Sequence, residues 1–152
     1  MIINKIDNIY IVKILNTNIN LYNTEELKQI TKKIILKISK KYKLQNTIHL
    51  EFYQNKNYGT VIKITNYNTP FKNNKEKTVK ITIHTETHFL YKIEYFNIEH
   101  KNTHKHNIYY HKNNFYLEII DNIPLKDYLN ILESSEIIYE DTDLIIDKAI
   151  KI

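Results

Sequence analysis

The chain has 152 residues, 42% hydrophobic and 26% charged, with 22 Lys and no Arg set against 17 acids, a single Gly and no Cys or Trp. That size is one globular domain or two very small ones, and it excludes a large multidomain enzyme. One glycine cannot build a phosphate-cradling loop, and a chain without Cys has no disulfide, thiolate nucleophile, Cys-ligated zinc or iron–sulfur cluster.

The excess of Ile, Lys, Asn and Tyr matches codon drift in an AT-rich genome, so composition alone carries little function. Charge placement carries more. Residues 1–70 hold 11 Lys and four acids, whereas residues 71–152 hold 11 Lys and 13 acids. Residues 1–13 show Lys5, Asp7 and Lys13 but no apolar core of signal-peptide length. No apolar run approaches the ~18 residues of a spanning helix. A cytoplasmic protein without a membrane partner is expected.

In chain order, residues 8–15 read as a strand with Tyr10, Val12 and Ile14 on one face and Ile9 and Ile11 on the other, as in a strand covered on both sides. Residues 24–44 read as a helix. Asn23 precedes Glu26 by three residues in a capping-box arrangement, and Glu25 and Glu26 lie at the positive end of the helix dipole. Leu27, Ile30, Ile34, Ile35, Ile38 and Tyr42 share one arc at helical spacing. Residues 47–53 alternate, with Ile48, Leu50 and Phe52 inward and His49, Glu51 and Tyr53 outward. Residues 60–65 supply a hairpin partner through a loop that ends at Gly59.

Residues 67–78 are polar, contain Pro70, and read as a linker. Beyond them Val79, Ile81 and Ile83 alternate, then Phe89, Tyr91, Ile93 and Tyr95, which makes two strands or one bent strand. Residues 97–107 are polar and His-rich, and a second hairpin is expected around Asn113-Asn114. Pro124 suits the first turn of a helix to about residue 134, with Leu125, Tyr128, Leu129 and Leu132 on one stripe. A short strand at residues 137–139 and a terminal helix from Thr142 complete the chain.

Few of these segments place reactive groups together. In the run HTETH, His84, Glu86 and His88 share one face of an extended strand, but its two His lie about 13 Å apart at strand rise, too far to share a metal ion. His100, His104 and His106 are better spaced as loop ligands, although the neighbouring lysines repel cations. Ser39, Ser134 and Ser135 stand in no nucleophile elbow, and the late carboxylates lack the desolvating pocket that a general acid needs. No catalytic residue, resident metal or cofactor is expected.

The basic face of the helix is the first candidate for a binding surface: Lys28, Lys32, Lys33, Lys37, Lys40 and Lys43, with Leu36 the one apolar residue among them. A dense cationic stripe attracts either an acidic protein surface or a nucleic-acid backbone, and the absence of Arg removes the bidentate contacts usual in nucleic-acid readers. Its counterpart is an acidic stretch, residues 118–147, with nine acids and one Lys.

The order of strand, helix opening NTEELKQI, strand, KNYG and strand over residues 8–66 is similar to the N-terminal part of MecA-type adaptors, which deliver substrates to the ClpC unfoldase. The run IYYHKNNFYLEI at residues 108–119 resembles the tyrosine-rich hairpin of that family's second domain. The resemblance implies an adaptor without chemistry of its own, and it assigns no site residue.

The expectation is therefore an α+β protein, mostly antiparallel in its sheet. A β-α-β-β sub-domain over residues 1–66 and a hairpin-and-helix sub-domain over residues 79–152 flank the linker, or form one continuous domain. It is expected to be a non-catalytic interaction module whose partner is another protein. A nucleic-acid or ribosome-associated protein and a His-dependent metal protein are the alternatives.

Overall fold

A computed structural model describes residues 2–15, 18–44, 47–67, 78–93 and 106–152. Among them are ten strands and three helices in two five-stranded, mostly antiparallel sheets, so the fold is α+β. The chain divides into two compact units, residues 1–86 and 87–152.

The first unit runs β1 (Ile2–Ile6), β2 (Ile9–Ile14), α1 (Thr24–Ser39), β3 (Thr47–Asn55), β4 (Gly59–Tyr67) and β5 (Thr78–His84), with sheet order β1-β2-β4-β3-β5. Strand alternation decides which face is packed. Tyr10, Val12, Leu50, Phe52, Ile62 and Ile64 form a buried layer against Ile34 and Ile38 of α1. Each such side chain contributes roughly 1.5–3 kcal/mol by leaving water. Gln54 fastens the segment ahead of α1, its side-chain amide donating to the Ile19 carbonyl at 2.8 Å.

Three features depart from the sequence reading. A first strand, β1, precedes the expected one and pairs with it through a turn at Asp7, whose φ of 53° is left-handed. β2 buries one face only, with Tyr10 and Val12 inside and Ile9 and Ile11 half-buried. The strand of Val79, Ile81 and Ile83 was expected in the second sub-domain. It is instead β5, parallel to β3 over seven residue pairs, and it closes the first sheet, so the boundary falls at residues 86 and 87. The proposed linker lies, but for Tyr67 and Thr78, outside the described residues.

The second unit runs β6 (Leu90–Ile93), β7 (His106–His111), β8 (Asn114–Ile119), α2 (Leu125–Ser134), β9 (Ser135–Ile138), α3 (Thr142–Lys148) and β10 (Ile150–Lys151), with order β10-β7-β8-β6-β9. Both faces of this sheet are packed. On one, Leu90, Tyr109 and Tyr116 meet Ile145 and Ile146 of α3. On the other, Tyr91 donates to the hydroxyl of Tyr128 of α2 at 2.9 Å, with the rings edge to face at 5.8 Å. A buried tyrosine hydroxyl needs such a partner.

The expected hairpin exists, shifted by one residue. Its turn is Lys112-Asn113, both at positive φ, and His111 pairs with Asn114. Two consecutive left-handed residues are what a two-residue hairpin turn demands. Asn113 helps hold it by accepting from the Tyr110 hydroxyl at 2.9 Å. Pro124 is the N-cap of α2, one residue ahead of the first-turn position expected for it, and of the proposed stripe Tyr128 is the residue fully buried, while Leu125 and Leu129 remain 64% and 38% exposed. Tyr95 lies outside the described residues.

Candidate functional site

The lysine face rests on how α1 begins and ends. The Asn23 side-chain oxygen accepts from the amides of Glu25 and Glu26 at 3.0 and 3.2 Å. The reciprocal half of the capping box is displaced: the Glu26 carboxylate receives the Asn20 amide at 2.8 Å, and the Asn23 amide donates to the Asn20 carbonyl. The helix stops at Ser39, earlier than the apolar spacing predicts. Tyr42 still returns its amide to Ile38 at 2.8 Å, and its ring packs on Tyr10 with centroids 5.2 Å apart. The last turn tightens as it ends, the Lys41 amide donating to the same Ile38 carbonyl at 3.1 Å, three residues back. Lys43 therefore lies beyond the helix, and Lys40 is its C-cap.

All the candidate lysines are exposed. Lys28 meets Glu25 at 4.0 Å, a surface pair of little energetic weight. Among the described residues Lys32, Lys33, Lys37 and Lys40 have no ion-pair partner. Leu36, 59% exposed, has Lys32 and Lys33 one turn before it and Lys40 one turn after, at the spacings that make helix residues neighbours. The result is an apolar side chain flanked by three lysines along the helix, with Ser39 at the fourth neighbouring position.

A second cluster was not anticipated. Because β3 and β5 run parallel in register, Glu51 stands opposite Thr82 and Tyr53 opposite His84. Glu51 accepts from the Tyr53 hydroxyl at 2.9 Å and lies 3.8 Å from His49 Nδ1 and 3.9 Å from His84 Nε2. His49 Nε2 is 2.8 Å from the Thr82 hydroxyl. Two imidazoles and a phenol thus surround one carboxylate across two strands, an arrangement that ties β5 to β3. The alternation of His49, Glu51 and Tyr53 was visible in the sequence, but their neighbours depend on β5 pairing with β3.

The remaining candidates are dispersed. His84 ends β5, Glu86 turns the chain at a φ of 57°, and His88 belongs to the second unit, where it meets Asp143 at 3.2 Å. The HTETH run is therefore not one extended strand. His100 and His104 lie outside the described residues, and His106 opens β7 opposite Ile119. Among the described residues no group of three His, Asp or Glu is arranged to hold a metal ion. The hydroxyls of Ser134 and Ser135 donate to backbone carbonyls of the preceding helical turn. Ser39, expected in mid-helix, is the last residue of α1.

Most acids of residues 118–147 are exposed on α2, α3 and their connections. Glu118 is engaged, accepting from the Asn107 side-chain amide at 3.0 Å and the Tyr109 hydroxyl at 3.4 Å. Burial, with the Glu118 charge second, raises the pKa of Tyr109. Among the described residues no helix is long and apolar enough to cross a membrane. Comparison with protein-family models, with curated proteins and with solved structures finds no match to this chain.

Proposed function

We propose that the chain is a non-catalytic, cytoplasmic interaction module of adaptor type, which holds an acidic segment of another protein on the outer face of α1. The observation that carries this reading is the setting of Leu36 between Lys32, Lys33 and Lys40, exposed and without ion-pair partners among the described residues. Long-range attraction by the lysines raises the encounter rate, and an apolar side chain at the centre supplies the desolvated contact that dominates binding energy. The acidic surface of the second unit is a candidate for a separate, basic partner.

A nucleic-acid backbone would be drawn by the same lysines, but it has no use for Leu36. The test is therefore a pair of variants, each measured over a salt series. Lys33→Glu with Lys37→Glu is expected to weaken binding of an acidic amphipathic peptide roughly tenfold or more, which is ~1.4 kcal/mol per decade. Leu36→Ala is expected to weaken it as well. Loss of RNA binding in the charge variant, with Leu36→Ala neutral and a steep salt slope, would establish the nucleic-acid reading in its place.

A further inference from the structure

We propose that β5 is a self-pairing edge: two copies of the chain join their Thr78–His84 strands antiparallel about a two-fold axis at Ile81, so that the two sheets become one. Among the described residues β5 has a strand on one side only, β3, and it ends the sheet order. Its other edge presents a row of main-chain donors and acceptors, the usual template for strand addition. Nothing in the strand blunts that edge by backbone geometry. It has seven residues, no proline, and no left-handed residue before Glu86.

The side chains point the same way. Val79, Ile81 and Ile83 lie on the face of the sheet shared with Ile48, Leu50 and Phe52, the face that packs against α1. Ile48 and Leu50 are 4% and 0% exposed, yet Val79 and Ile81 are 38% and 37% exposed. Burial falls off between β3 and β5, which leaves an apolar step beside an edge that no other described strand pairs with.

The occupant follows from the sequence of the strand, TVKITIH, which is self-complementary about its centre. Antiparallel pairing through Ile81 sets Val79 against Ile83 of the second copy, Ile81 against Ile81, Lys80 against Thr82 and Thr78 against His84. The helix-side face then carries an unbroken row of β-branched pairs, the combination that stabilises cross-strand neighbours. No two cations stand directly opposite. The two Lys80 are diagonal neighbours, and residues 1–86 carry 15 Lys against six acids, so the copies repel at long range. Self-association should accordingly strengthen with salt, opposite in sign to the binding of an acidic partner on α1.

Sedimentation equilibrium of the full chain over a concentration and salt series tests this. The expected result is a monomer–dimer equilibrium, with twice the monomer mass at high concentration and more dimer at higher salt. Ile81→Lys puts two ammonium groups face to face and should leave only monomer, whereas Lys80→Thr should tighten the dimer. Because the natural chain has no cysteine, Ile81→Cys gives a second readout: the two Ile81 positions of an antiparallel pair fall within disulfide reach, and oxidation should link them. Leu36→Cys on α1 should link far more slowly. Monomer under every condition, an Ile81→Lys variant that still dimerises, or equal cross-linking of the two cysteine variants would overturn the proposal. Capture of an acidic peptide on β5 by a chain that remains monomeric would overturn the choice of occupant.

Discussion

The ring of Tyr53 lies flat against that of His84, with centroids 4.5 Å apart and 8° between planes, across the parallel pairing of β3 and β5. The same tyrosine donates its hydroxyl to Glu51, so one side chain serves both the stack and the carboxylate cluster. Tyr53→Phe keeps the stack and removes the hydrogen bond, a loss of about 1 kcal/mol. His84→Ala removes the stack instead, and its effect should concentrate on β5, which has no other strand beside it among the described residues. Native-state hydrogen exchange distinguishes the two. Faster exchange in β5 with β2 and β4 unchanged is expected for His84→Ala, and uniform acceleration would show that the cluster is not what holds this strand.

The start of α1 gives a cleaner energetic test. Asn23 satisfies two amides that no helical carbonyl can reach. Asn23→Ala should cost about 1 kcal/mol, seen as a lower urea midpoint with an unchanged slope. A loss much below this would mean that the Glu26 contact to Asn20 already secures the helix start.

Gly59 closes the β3–β4 hairpin at a φ of 94°, and a Cβ there would lie 2.1 Å from the carbonyl oxygen of Ile14. The obstacle is backbone, which cannot swing aside as a side-chain end would. Gly59→Ala combines left-handed strain with displacement of β2, and a loss of more than ~2 kcal/mol is expected by thermal or denaturant unfolding. Near-neutral behaviour would mean that β2 and the hairpin can separate locally without disturbing the core.

These outcomes also explain what the sequence made legible. The helix and the β3–β4 hairpin announce themselves because their periodicity, cap and turn residues are local, and Ile34, Ile38, Leu50, Phe52 and Ile62 are buried as their spacing predicts. The lysines and Leu36 were readable for the same reason. β1 was not, since its residues are mostly exposed and show no apolar alternation. The place of β5 was not either, because parallel pairing with β3 is non-local and leaves no mark in the adjacent residues. With β5 misplaced, the contacts of Glu51 with His84 and of His49 with Thr82 could not be foreseen.

Tyr109 provides a pH-dependent check on the second unit. Burial is the main reason its pKa is raised, and the Glu118 carboxylate adds to it, while the Asn107 amide works in the opposite direction. The folded chain therefore keeps the phenol neutral at a pH where the unfolded chain, near the ordinary value of about 10, has lost the proton. The stability tied to Tyr109 is complete below that value and is lost as pH rises through the higher folded pKa, because the unfolded state then binds fewer protons. With 13 tyrosines present, the ionisation of this one is read as the difference in tyrosinate absorbance between the natural chain and Tyr109→Phe. Glu118→Gln should move that difference toward lower pH without bringing it to the free value, since burial remains. An unmoved titration would assign the whole effect to burial and leave the Glu118 contact at 3.4 Å without electrostatic consequence.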